Sequence, residues 1–181
     1  AAAGLSWAVV ERLRDGHFTN LGVASGIVAG LVAITPACGF VTGGSSILIG
    51  LIAGVVCSFA ISLKFKFGFD DALDVIGVHL VGGLVGSILI GFFADPKAFQ
   101  DFNPDISFKA GLFFGGNASL LLEQLLANGV TLVFSFVVTF TIAKALDATI
   151  GLRVDEEVES EGLDIREHAE TAYNLTDRTT V

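Results

Sequence analysis

What most constrains this chain is the recurrence of apolar runs about 20 residues long, the length an α-helix needs to cross the hydrocarbon of a bilayer. Four stand out: LGVASGIVAGLVAITPACGFV over 21–41, GGSSILIGLIAGVVCSFAISL over 43–63, ALDVIGVHLVGGLVGSILIGFFA over 72–94 and LLEQLLANGVTLVFSFVVTFTIAKAL over 121–146. Backbone in lipid must satisfy its own hydrogen bonds, so each run reads as a helix. Charged residues make up 16% of the chain, against about 25% in soluble domains. The expected fold class is therefore all-α, a polytopic membrane helix bundle, over residues 1–150.

The chain opens AAAGLSWAVVERLR, apolar and then basic. Residues 1–11 read as the last turns of a preceding span. A secretory signal would carry its charge ahead of the apolar stretch, not after it. There is no Met, and the chain is expected to be a C-terminal or N-terminally trimmed piece of a larger protein.

Glycine is placed for helix packing. Gly22, Gly26 and Gly30 recur every four residues in the first run, Gly50 and Gly54 in the second, Gly82 and Gly86 in the third. Small residues at that spacing let helix backbones approach closely in lipid. Pro36 interrupts the first run, so a kink with a lost hydrogen bond is expected near Thr35. Cys38 and Cys57 lie within apolar runs and read as buried free thiols. No CxxC or His/Cys cluster with metal spacing occurs, no P-loop or dinucleotide fingerprint is present, and no cofactor or metal is expected.

Basic residues divide by side. Arg12 and Arg14, Lys64 and Lys66, then Lys144 and Arg153 fall on one side by parity. The GFVTGG connection opposite has none, and the longer loop beyond 94 has Lys97 and Lys109. The positive-inside bias puts the tail at 151–181 in the cytoplasm. The formal net charge is −9, and residues 152–181 carry nine acids against three bases. A surface of that sign cannot bind nucleic acid by counterion release.

The chemistry-bearing stretch is FDDALDVIGVHLVGGLVGSILIGFFA, residues 69–94. Asp70 and Asp71 suit the start of a helix, where carboxylates meet the positive end of the dipole and cap free N–H groups. Asp74 sits one turn further in, capping or solvated. His79 lies roughly 7 to 8 Å beyond Asp74 on a regular helix, on a face shared with Val75, Gly82, Gly83 and Gly86. An ionisable group inside a span is a functional candidate. A neutral histidine bonding a backbone carbonyl across a helix interface accounts for it equally well. His17 and His168 lie in polar segments and read as surface residues; Glu123 and Gln124 read as bonding neighbouring backbone or the interface.

Three stretches carry a resemblance. DDALDVIGVHLVGGLVGSILIGFFA resembles the pore-helix signature of the ammonium transporter family, the Amt/Rh group, in its bacterial Amt branch. LVAITPACGFV resembles another helix of that family, and GLRVDEEVESEGLDIREHAETAYN its cytoplasmic C-terminal region, in the same order and with similar spacing. The resemblance implies a homotrimer in which each subunit has its own pore through about eleven helices built as inverted repeats. This chain would supply the later helices and the tail. His79 matches the second of two pore histidines; the first, the outer aromatic gate and the outer recruiting site belong to earlier helices.

The implied function is passage of ammonium or ammonia across the cell membrane, without enzymatic chemistry; an ammonium sensor signalling through its tail is the alternative. An ion stripped of water in an apolar lumen costs tens of kcal/mol on an idealised estimate. A dry pore therefore favours release of the proton near the outer mouth and passage of neutral ammonia. A neutral imidazole offers one donor and one acceptor nitrogen and adds no charge. In the tail, composition alone reads as disordered, whereas Leu163, Ile165, Tyr173 and a turn at Gly162 favour order. The resemblance adds packing on the cytoplasmic face, contact with a neighbouring subunit and docking of a PII-type signalling protein. Gly162, Asp164, His168, Glu170 and Tyr173 are the expected docking residues.

Overall fold

The computed structural model describes residues 1–100, 105 and 107–172, and every described element is helical. Compactness divides the chain into two units, Ala1–Thr131 and Leu132–Val181. The first unit holds α1 (Ala2–Asp15), α2 (Asn20–Ile34), α3 (Gly43–Ala60), α4 (Leu63–Phe67), a π-helical turn (Val75–Leu80) that runs directly into α5 (Val81–Phe93), α6 (Lys97–Gln100) and a 3-10 turn (Leu112–Phe114). Helix α7 (Ala118–Asp147) begins in it. Three helical stretches are long and apolar enough to cross a membrane: Gly43–Phe67, Val75–Phe93 and Ala118–Asp147.

The first unit is assembled on α1, with glycine faces as its seams. Gly22, Gly26 and Gly30 of α2 lie against Glu11, Trp7 and Ala3 of α1. A Cβ on Gly26 would stand 2.7 Å from Trp7 Cβ, and one on Gly30 2.7 Å from Ala3 Cβ. From α3, Gly50 meets Ala2 and Ala3, and Gly54 meets Ser6 and Ala3. α5 closes on α2 through Gly86, whose missing Cβ would overlap the Ala33 carbonyl. With no hydrophobic drive between helices in lipid, close van der Waals approach supplies the association. The buried core is accordingly small-sided: Ala33, Ala37, Ala53 and Ala94 with Ile49, Ile90 and Phe93 in one cluster, Trp7, Ala29, Cys57 and Val78 in the other.

The first apolar run departs from the expectation of a span over 21–41. α2 ends at Ile34, and residues 35–40 form successive turns, with the Ala37 and Cys38 N–H groups donating to Ile34 O. Pro36 lacks an N–H and clashes with the preceding turn, so it ends the helix instead of kinking it. Cys38, in those turns, is exposed, and only Cys57 is buried as expected.

A carboxylate ties α1 to α2. Glu11 is buried; its Oε2 accepts from Thr19 N–H (2.9 Å) and its Oε1 from Trp7 Nε1–H (3.2 Å). Thr19 in turn caps α2, its Oγ1 accepting from Gly22 N–H at 2.8 Å. At the same end of the unit, Arg14 donates to Ser58 O at the end of α3 (3.2 Å). At the other end, Asp95 N–H donates to Phe40 O and Gly111 N–H to Ala94 O, both at 2.8 Å.

In the second unit, residues 132–147 of α7 are exposed apart from half-buried Ala143. Two short helices follow, α8 (Glu156–Glu161) and α9 (Leu163–His168). Arg153 pairs with Glu159 (2.6 Å) and Arg166 with Glu161 (3.2 Å). The tail thus holds local helical structure over 156–161 and 163–168 despite its acidity.

Candidate functional site: the π turn at His79

Everything that sets His79 begins in the loop before it. Asp71 caps the turn with both oxygens: Oδ1 accepts from Val75 N–H (2.7 Å) and Oδ2 from Ile76 N–H (2.9 Å). The capping expected for this carboxylate is seen here. Asp70 beside it is exposed. Asp74 has a left-handed backbone, φ 56° and ψ 34°, rare for a residue with a side chain. Its carbonyl accepts from Val78 N–H at 2.8 Å. Its Oδ1 lies 2.7 Å from Lys64 Nζ, and both side chains are largely shielded, at 18% exposure for Lys64 and 25% for Asp74. Lys64 also donates to Asp71 O at 3.1 Å. One ammonium on α4 therefore grips both ends of the Asp71–Asp74 turn.

From that turn the chain winds as a π-helix, and Val81 N–H reaches back five residues to Ile76 O. The wider turn changes which residues face the bundle. On an unbroken α-helix His79 shares a face with Val75, Gly82, Gly83 and Gly86, and that was the expectation. Gly82 and Gly86 are instead buried against α2 and α3, while His79 is exposed with Val75 and Leu80. Gly77 and Val78 take the buried side of the π turn. Gly77 is the tight point, because a Cβ there would stand 2.8 Å from both Ile61 Cα and Ile61 N. π turns of this kind frequently mark functional positions inside helices.

The three glycines singled out by spacing part company. Gly86 has no room for a side chain. Gly82 is tight, with Val32 Cγ1 3.3 Å and Cys57 Sγ 3.4 Å from its missing Cβ. Gly83 meets nothing within 4 Å and lies one turn beyond His79. One turn further, Ser87 begins a polar link to α7. Ser87 Oγ–H donates to Gln124 Oε1 (2.8 Å), and Asn128 Nδ2 donates to Ser87 Oγ (3.1 Å) and Gln124 O (2.8 Å). Glu123 pairs with Lys109. Gly77, Glu11, Ser87 and Asn128 were not singled out from the sequence, and Lys64 was read there only as a basic loop residue. The partners of Lys64 lie seven and ten residues away, and Glu11, besides Trp7 one turn back, holds Thr19 eight residues on.

Of the tail residues, Gly162 joins α8 to α9 at φ 109°, a conformation that suits glycine. Asp164 Oδ2 accepts from Ala172 N–H (2.9 Å), and its carbonyl accepts from Glu170 N–H (3.0 Å), folding the segment back on α9. That backbone donor holds the Asp164 carboxyl below its ordinary range, with the charge of His168 adding to it. His168 and Glu170 are exposed. Tyr173 lies outside the described residues. Among the described residues no group of three or more His, Cys, Asp or Glu side chains could hold a metal ion.

A family model described as Ammonium Transporter Family matches residues 1–173. The chain is 52% identical to an ammonium transporter of Mycobacterium tuberculosis over 97% of its own length and 36% of that protein's. Its structure is similar to the crystal structure of Saccharomyces cerevisiae Mep2, with a TM-score of 0.80 and 35% identity over 87% of this chain and 35% of that one. It is also similar to a structure described as a sensor Amt protein, with a TM-score of 0.78 and 28% identity over 92% and 38% of the two chains. The chain thus spans little more than a third of each of these proteins.

Proposed function

Because the chain belongs to the ammonium transporter family, we propose that the complete subunit carries ammonium or ammonia across the cell membrane through a hydrophobic, histidine-lined pore, with His79 as one of its polar rungs. The observation that carries this reading is the position of His79: exposed on a π turn of a membrane-length apolar helix, away from the packed Gly82–Gly86 face. An imidazole so placed can face a lumen completed by other helices of the subunit. Neutral, it accepts and donates one hydrogen bond with ammonia and adds no charge to an apolar passage. Asp71 and Asp74 support the turn, and Gly83 leaves the path beside His79 open.

The remaining reading follows the same line. The subunit assembles as a homotrimer with its tail in the cytoplasm. Arg14 and Lys64, which lie at the same helix ends as the capped turn, support this side as cytoplasmic through the positive-inside bias. Gly162, Asp164, His168, Glu170 and Tyr173 dock the tail, through which a PII-type protein regulates the pore. Relatives are named as transporters rather than enzymes. The likeness to a sensor Amt protein favours a second reading, in which occupancy is signalled through the tail.

The deciding experiment is ammonium and methylammonium flux into liposomes holding the complete protein, wild type and His79→Ala. Flux in the wild type, with altered flux or selectivity in an assembled His79→Ala variant, supports the pore. Unchanged flux and unchanged rejection of metal cations in that variant removes His79 from it, and wild-type protein that binds ammonium without passing it is a sensor.

A further inference from the structure

We infer that Lys64 is a positioning residue for the pore: through its paired contacts with Asp74 and the Asp71 carbonyl it sets the π turn that aims His79. The inference rests on the pore reading of His79. A left-handed Asp74 is an unfavourable start for a helix and persists only where its surroundings hold it. Lys64 Nζ supplies that hold twice, as an ion pair 2.7 Å from the buried Asp74 Oδ1, which accepts no hydrogen bond, and as a hydrogen bond to Asp71 O at 3.1 Å. The same four-residue turn carries the Asp71 oxygens that fix Val75 and Ile76 N–H, the first donors of the π turn. A π turn closes its hydrogen bond one residue further along the chain than an α turn does. If the start of the turn relaxed to an α register, His79 would rotate toward the face of Gly82 and Gly86, which is already filled by Ala33, Val32 and Cys57. The ion pair on α4 thus selects between two directions for the imidazole without touching it. Gly77 is pressed on Ile61 at the end of α3, which holds the buried side of the turn close.

The test uses Lys64→Met, which keeps the apolar stem and removes the charge, and Asp74→Asn, which removes the charge in a residue that tolerates the left-handed region. Both are made in the complete protein and reconstituted in liposomes, with His79→Ala as reference and Lys64→Arg as rescue. Concentration-dependent ammonium and methylammonium uptake is measured in each. Maximal ammonium flux should fall on the order of tenfold in each single variant, as expected when a functional group is misaimed. The half-saturating concentration should change little, and the ratio of methylammonium to ammonium flux should shift as it does in His79→Ala. The double variant should be no worse than the more severe single one, since the two share one interaction, and Lys64→Arg should restore the ratio. Wild-type flux and ratio in Lys64→Met and Asp74→Asn, with altered values in His79→Ala, overturn the positioning role and leave the pore reading standing. Wild-type values in all three overturn both. Should Lys64→Met fail to assemble, Asp74→Asn decides alone: a shifted ratio supports the inference and an unshifted one overturns it.

Discussion

The carbonyl group of Ala33 on α2 occupies the place where a side chain on Gly86 of α5 would have to begin, with Ala33 C 2.7 Å and Cα 2.8 Å from the missing Cβ. Both sides of that contact are backbone, so neither can swing aside. Gly86→Ala should destabilise the protein by about 1–3 kcal/mol through overpacking, seen as a lower melting temperature and a poorer yield of assembled protein in detergent. Gly83→Ala, one turn from His79 and facing open space, should melt as the wild type does. Equal melting of the two variants would show that the α2–α5 seam is not as close as described.

Glu11 should be costly to remove. It accepts from Trp7 Nε1–H and Thr19 N–H while buried. Glu11→Ala leaves those donors without a partner and should cost about 1–3 kcal/mol. Thermal unfolding of the variant beside Asp15→Ala, whose carboxylate is exposed, measures the difference.

The link from Ser87 to Gln124 and Asn128 joins two apolar helices through polar atoms. Ser87→Ala should destabilise by about 1 kcal/mol, in the range of interhelical hydrogen bonds measured in membranes. Asn128 keeps its bond to Gln124 O in that variant. A loss of several kcal/mol would mean that the link carries more than one hydrogen bond's worth of structure.

The tail should loosen in acid. Hydrogen bonding from Arg153 holds Glu159 below its ordinary range, and the Ala172 N–H does the same for Asp164. A carboxylate lowered on folding stabilises fully above its unfolded pKa, about 4 for these groups, and loses that contribution as pH falls through the lower folded value. Hydrogen exchange at Ala172 should therefore be unaffected from neutral pH down to about pH 5 and accelerate, beyond its intrinsic pH trend, below about pH 4. Asp164→Ala should show the faster exchange already at neutral pH.

Gly162→Asp puts a side chain on a backbone at φ 109°, facing Asp164 Oδ1 2.7 Å from the new Cβ. Backbone strain of about 1–3 kcal/mol and like-charge repulsion should open the α8–α9 joint, read as increased protease cleavage near residue 162. Under the regulatory reading flux should fall as well, although His79 is untouched. If deleting 152–181 changes neither flux nor its response to a PII-type protein, the tail has no regulatory part.

Much of this fold was written in the spacing of apolar and small residues. Runs long enough to span a bilayer have to be helical, because lipid offers the backbone no other partner. Gly22, Gly26, Gly30, Gly50, Gly54, Gly82 and Gly86 marked the seams, because residues four apart share a face on any α-helix. The role of Asp71 was legible too, since capping is local. What the tertiary structure alone decided is the direction of His79. The α period assigned it to one face with Val75, Gly82, Gly83 and Gly86; Val75 is exposed with it and Gly83 is open, but Gly82 and Gly86 are buried, across a π turn begun by a left-handed Asp74 and held by Lys64 ten residues earlier. Residue spacing encodes a face only while the helical repeat is constant, and a change of repeat is set by contacts between segments that no local pattern records.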